Sequence, residues 1–183
     1  MDLKNPLLEE WTGPFGAPPF AAIRPAHFRP AFAQAFAEHR AEIAAIVENP
    51  QPPNFANTIA AFERAGRTLD RVSAVFFHLA GADTNEEIEA IERAIAPLVA
   101  RHHAEIHLND ALFARIDALF RRATLGIDAE QARVLERHHR AFRRAGAGLP
   151  AEAKARLAEI GERLAALGTQ FSQNVLADEN AFA

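Results

Sequence analysis

Apolar and polar positions alternate with a helical period along most of this 183-residue chain. Phe28, Phe32 and Phe36 stand four apart and lead into Ile43 and Val47, which gives one apolar helix face until Pro50, Pro52 and Pro53 stop it. A second helix is predicted after an Asn54 or Asn57 cap, through Ile59, Phe62, Leu69, Val72, Phe76 and Leu79, with one step of seven passing over Gly66. Thr84 and Glu87 have capping-box spacing, and Ile88, Ile91, Ile95 and Val99 form the stripe of a third helix, kinked at Pro97. A shorter fourth helix opens at Asn109 with Leu112, Ile116, Leu119 and Phe120. Asp128 and Gln131 repeat the capping-box spacing before Val134, Leu135, His138 and Phe142, and Gly146 and Gly148 end that helix. Pro150 opens the last one, where Leu157, Ile160, Leu164, Leu167 and Phe171 step by three and four and form a seam able to pack along a neighbouring helix. Period-two alternation is absent, so the expected fold is an all-α bundle of about six amphipathic helices.

The ends of the chain differ from this body. Residues 5–30 hold six of the eleven prolines, with Trp11, Phe15 and Phe20 among them, which excludes a regular helix and predicts an extended leader. Each of those aromatics gains roughly 1.5–3 kcal/mol on burial, so the leader, residues 1–30, is expected to pack on the helical region, residues 31–183. At the other end Val175, Leu176 and Phe182 prolong the apolar face without a C-cap glycine, and the chain is expected to be part of something longer. That unfinished face also predicts self-association of the chain on its own.

Composition narrows the function classes. With 49% hydrophobic and 24% charged residues the chain is expected to fold, and with no cysteine it has neither thiolate nucleophiles nor thiolate metal ligands. A net charge of −4 argues against nucleic acid as a partner, because displacing phosphate counterions needs an excess of Lys and Arg. The start of the sequence lacks the apolar core of a signal peptide and no apolar run is long enough for a bilayer, so the expectation is a cytoplasmic protein without a membrane partner.

Few residues suggest chemistry. His103 and His107 have the one-turn spacing of two metal ligands, but the dipeptide His-Glu of zinc peptidases occurs nowhere in the sequence and Glu105 falls on another face. Arg133, Arg137, His138, His139, Arg140, Arg143 and Arg144 make a basic helix that could hold an anion. Glu130 and Glu136 on the same helix favour a solvated face instead. Ser73 and Ser172 have no evident His and Asp partners, and Glu86, Glu87, Glu89 and Glu92 read as a soluble helix surface. The residues thus nominate no catalytic, cofactor-binding or metal-binding position.

Several stretches nevertheless resemble, in order, the N-terminal region of the zinc metallopeptidases that include peptidyl-dipeptidase, oligopeptidase A and thimet oligopeptidase. They are NPLLEEW with PFGAPPF (5–20), IRPAHFRPAF (23–32), HRAEIAAIVENPQPPNFANTI (39–59), RVSAVFFHLAGADTN (71–85), IHLNDALFARIDAL (106–119), GIDAEQARVLERHHRAFRRAGAGLP (126–150) and LGTQFSQNVLADE (167–179). None is a catalytic signature; their shared order makes the likeness specific, and it is nearest to the bacterial peptidyl-dipeptidase branch. His107 stands where the family pattern has an aromatic residue, which weakens its reading as a metal ligand, and His78 occupies a variable position.

The resemblance implies a larger all-helical enzyme with a deep cleft for short peptides. Its zinc site, a His-Glu-x-x-His helix with a later glutamate, lies downstream of anything matched here. No position of this chain carries over as catalytic, zinc-binding or peptide-binding. The expectation is therefore the cleft-wall region of a zinc oligopeptidase, inactive alone, whose partners are the downstream part of the same polypeptide and short peptide substrates. The alternative is a non-enzymatic helical module that binds a protein partner through an apolar seam.

Overall fold

The computed structural model describes residues 4–122 and 126–182. It is all-α, with no strand among the described residues: α1 (Phe28–Val47), α2 (Ala60–Arg64), α3 (Arg67–Ala82), α4 (Glu86–His107), α5 (Asp110–Phe120), α6 (Ala129–Ala145) and α7 (Ala151–Ala181). The chain divides into two compact units, one of Met1–His39, Gly66–Leu98 and Leu164–Ala183, the other of Arg40–Ala65 and Val99–Arg163.

The first unit is organised by phenylalanines. Phe28 and Phe32 on α1 meet Phe76 of α3 edge-on, with ring centroids 4.9 and 5.5 Å apart, and all three are fully buried. Edge-to-face pairs of this kind add about 0.5–1.5 kcal/mol beyond the area they bury. Leu69, Val72 and Val75 of α3 and Ile88, Ile91 and Ile95 of α4 complete the buried set. Pro30 sits in the first turn of α1, where a missing N–H costs nothing because that donor has no helical acceptor.

The leader belongs to this unit and forms short 3₁₀ turns at Pro14–Gly16, Phe20–Ala22 and Pro25–His27. Leu7 and Ile23 are buried, the Asn5 side chain donates to the His27 carbonyl at 2.8 Å, and the Arg71 guanidinium lies 4.9 Å from the Trp11 ring centre. Phe20 is exposed, and Phe15 is wholly so, at a positive φ of 60° that side-chain-bearing residues rarely adopt.

In the second unit, Ile43 and Ile46 of α1, Ile59, Ile106 of α4, Leu112, Ile116 and Leu119 of α5, and Leu135 and Phe142 of α6 share one core. The proline segment after α1 is held by Arg115 of α5, which donates to the carbonyls of Asn49 and Gln51 and to the Asn57 side chain. Asn54 and Asn57 cap one another's backbone N–H, and a π turn, Phe55–Ile59, leads into α2.

Two local expectations change. The predicted second helix is broken: α2 and α3 are separated at Gly66, whose φ of 80° is left-handed and whose hydrogen faces the His39 ring so closely that a Cβ would lie 2.8 Å from it. Asn85, not Thr84, receives the first N–H groups of α4, from Glu87 and Ile88, while the Thr84 hydroxyl is buried without a hydrogen-bond partner. Helix α4 continues through Pro97 over its 22 residues. The caps at Asn109 and Asp128 and the left-handed stop at Gly146 stand where the sequence put them.

Candidate functional site

His103 and His107 come together as a packing pair. Their rings lie parallel with centroids 6.2 Å apart, the His107 Nδ1 is 3.0 Å from the His103 carbonyl oxygen, and His107 rests on Phe142 at 5.0 Å. That is a packing role for the ring. Glu105 bonds Arg40 at 3.0 Å instead of facing the pair. Among the described residues no group of three His, Asp or Glu side chains is placed to hold a metal ion.

The basic run of α6 separates into two sets. Arg133 and Arg140 both pair with Glu136, whose carboxyl is held below its usual range chiefly by the Arg133 hydrogen bond and then by the charges of Arg133 and Arg140, so part of the positive stripe is neutralised on its own helix. His138 and His139 point to either side of Phe142's neighbourhood. His138 pairs with Glu63 and meets Phe62 edge-on, while His139 stacks on Phe120 at 3.9 Å and meets Asp117 at 3.0 Å. Both histidines therefore tie α6 into the second unit instead of lining a surface for anions.

The other polar candidates are also structural in their surroundings. Ser73 is half-buried on α3, Ser172 and His78 are exposed, and Glu86 and Glu87 face solvent. Glu89 and Glu92 do more than the sequence suggested: the Gln173 side chain of α7 donates to the Glu89 carbonyl at 3.1 Å and to the Glu92 carboxylate at 2.9 Å. Gln173 also accepts from Arg93. Nothing in the spacing of a lone glutamine announces such an anchor; only its placement opposite the apolar stripe of α7 hints that this side faces inward.

The feature with the strongest functional content is α7 itself. Its large apolar side chains Leu157, Ile160, Leu164, Leu167, Phe171 and Val175 are exposed, Leu164 and Phe171 by 64% and 70%. The half-buried side of the helix carries Ala158, Gly161, Ala165, Thr169 and Gln173 instead. A helix apolar on its exposed face and packed by small and polar residues on the other is built for cover on both sides. This arrangement can bind; it holds no pair of groups set for proton transfer or nucleophilic attack.

No family model matches the chain. The chain is nonetheless similar to the N-terminal region of dipeptidyl carboxypeptidases and oligopeptidase A proteins. Over 178 residues, 97% of the chain, it is 42% identical to the dipeptidyl carboxypeptidase of Salmonella typhimurium (strain LT2) and 43% identical to that of Escherichia coli (strain K12). Identity to the oligopeptidase A of Salmonella typhimurium is 30% over 175 residues. The chain spans about a quarter of the length of these relatives, 26% and 25% respectively. No described helix is long and apolar enough to cross a membrane.

Proposed function

We propose that this chain is the cleft-wall region of a zinc-dependent oligopeptidase that acts on short peptides, and that the enzyme is a peptidyl-dipeptidase removing dipeptides from C-termini. The observation that carries the proposal is the match, over nearly the whole chain, to the N-terminal quarter of dipeptidyl carboxypeptidases, with higher identity than to oligopeptidase A proteins. Its contribution is steric: helices of the cleft wall admit an extended peptide and reject a folded one. The residues described here do not fit a zinc ion, because His103 and His107 are engaged in packing and no third ligand approaches them. On this reading zinc and the water it activates belong to the downstream part of the polypeptide, and no step is assigned to this chain's side chains. The reading includes a cytoplasmic location.

The test compares the 183-residue chain with the continuous polypeptide on a quenched peptide whose C-terminal dipeptide carries the reporter. Chelator-sensitive release by the longer polypeptide and none by the chain alone is the expected result. Chelator-sensitive cleavage by the chain alone would overturn it, as would a reading frame that continues without a His-Glu-x-x-His helix.

A further inference from the structure

Within the first unit the leader holds an open cavity of about 520 Å³, lined by Pro6, Trp11, Pro14, Pro18 and Pro19. Small-molecule sites typically measure roughly 300–1,000 Å³. The sequence fixes the shape of this one. Each proline sets its own φ, the Trp11 indole N–H donates to the Pro6 carbonyl at 2.9 Å, and the buried Leu7 and Ile23 pin the segment at two points. A ligand entering here meets walls that need little ordering, so less entropy is lost than on a loose loop. The leader's exposed phenylalanines do not fill the space: Phe15 stands wholly in solvent, and neither it nor Phe20 contributes to the lining.

Two properties of the lining define what fits. Proline has no N–H, so its ring presents C–H groups, whose slight positive charge suits the negative face of an aromatic ring, and Trp11 adds a ring for stacking. The second property is charge. Glu9 and Glu10 line the cavity and are exposed, whereas the single cation of the lining, Lys4, lies 4.0 Å from Glu9 with 86% of its side chain in solvent, which weakens the pair. Two carboxylates against one ammonium leave the lining negative. The Trp11 ring already receives one cation, the Arg71 guanidinium at 4.9 Å, and Arg71 is not part of the lining. We infer that this cavity binds an aromatic ammonium ion, a flat ring joined by a short chain to a protonated amine, with the ring between Trp11 and the prolines and the amine at Glu9 and Glu10. Free arylalkylamines have this chemistry, and so does an aromatic residue at the free N-terminus of a peptide. The inference is independent of the peptidase reading.

The chain has one tryptophan and no tyrosine, so its indole emission reports on this cavity directly. The 183-residue chain is titrated with 2-phenylethylamine, with the neutral 2-phenylethanol and with the anionic 3-phenylpropionate, and saturation-transfer NMR on the same samples counts any binding that leaves the emission unmoved. The amine is expected to bind at least about fivefold more tightly than either analogue, and its advantage to shrink as salt screens the carboxylates. Replacing both carboxylates, Glu9→Gln with Glu10→Gln, should remove that advantage while circular dichroism shows unchanged helical content. A Phe-Gly-Gly peptide and its N-acetylated form separate the two sources of the ligand. Binding of the free peptide as tight as that of the amine, lost on acetylation, identifies a peptide N-terminus, and binding of the amine alone identifies a free arylalkylamine. Absence of binding by both the amine and the free peptide would overturn the inference. So would equal binding of the amine, the alcohol and the acid, or an amine affinity that the double substitution leaves unchanged in a folded protein.

Discussion

Helices α6 and α7 each carry an apolar stripe in the sequence and meet opposite fates. In α6 the apolar side is covered: Leu135 and Phe142 are buried, Asp128 and Gln131 close one end, Gly146 closes the other, and His138 and His139 each meet a carboxylate. In α7 the large apolar side chains from Leu157 to Val175 are exposed, and the less exposed side is mostly alanine, glycine, threonine and glutamine, with Lys154 buried near its start. Periodicity identifies a face that needs cover; it does not identify what covers it. In α6 the pattern is satisfied by packing within its own unit, and in α7 the stripe stays exposed among the described residues.

The contrast can be broken or sharpened by substitution. Phe142→Ala should have the largest effect, a loss of about 3–5 kcal/mol for a fully buried ring that touches Phe62, Phe113 and His107, read as a lowered urea midpoint. Gly146→Val follows at about 1–3 kcal/mol, since φ is 101° there and a Cβ would lie 2.9 Å from Leu149 and Leu157. A smaller effect attends the exposed Arg101–Glu162 pair, which bonds α4 to α7 within the second unit. The Arg101 hydrogen bond, with its charge after it, holds the Glu162 carboxyl below the ordinary value of 4.5. A carboxylate depressed in the folded state stabilises above its unfolded pKa, and that contribution fades as pH falls through the folded value. The thermal midpoint of Glu162→Gln should accordingly sit slightly below that of the unsubstituted chain at neutral pH and meet it in acid; a gap that widened in acid would reverse the sign. Smallest of all, Phe171→Ala in the 183-residue chain should change stability by no more than about 0.5 kcal/mol, because the side chain is 70% exposed. A loss as large as that of Phe142→Ala would erase the distinction between the two helices.

The legible parts of the fold were those decided within a few residues. Asn54, Asn109 and Asp128 cap because a side-chain oxygen three positions ahead reaches a bare N–H, and Gly146 stops a helix because it tolerates a left-handed backbone. Thr84 misled because its neighbour Asn85 offers an oxygen to the same donors one residue later. Gly66 misled for a different reason: a step of seven is two helical turns on paper, and only the close approach of the His39 ring requires the break. The candidate site was less legible. Sequence named the stripe of α7 but not the direction in which it faces, because that depends on Gln173 finding Glu89 and Glu92 more than eighty residues away. The histidine pair has the spacing of two ligands but was not nominated as a metal site, and the contact of one ring with Phe142, on another helix, is one that spacing cannot show.

One detail of the leader bears on handling the molecule. Phe15 stands fully exposed between Pro14 and Gly16, its backbone turned to positive φ, while Leu7 is buried on one side of it in sequence and Ile23 on the other. A digestive protease with a taste for large aromatic residues would meet this side chain first, and a single nick there would leave both flanking segments held by their own burial. The leader can thus be opened without being released, which makes its tip a natural place to insert a tag or a fluorophore.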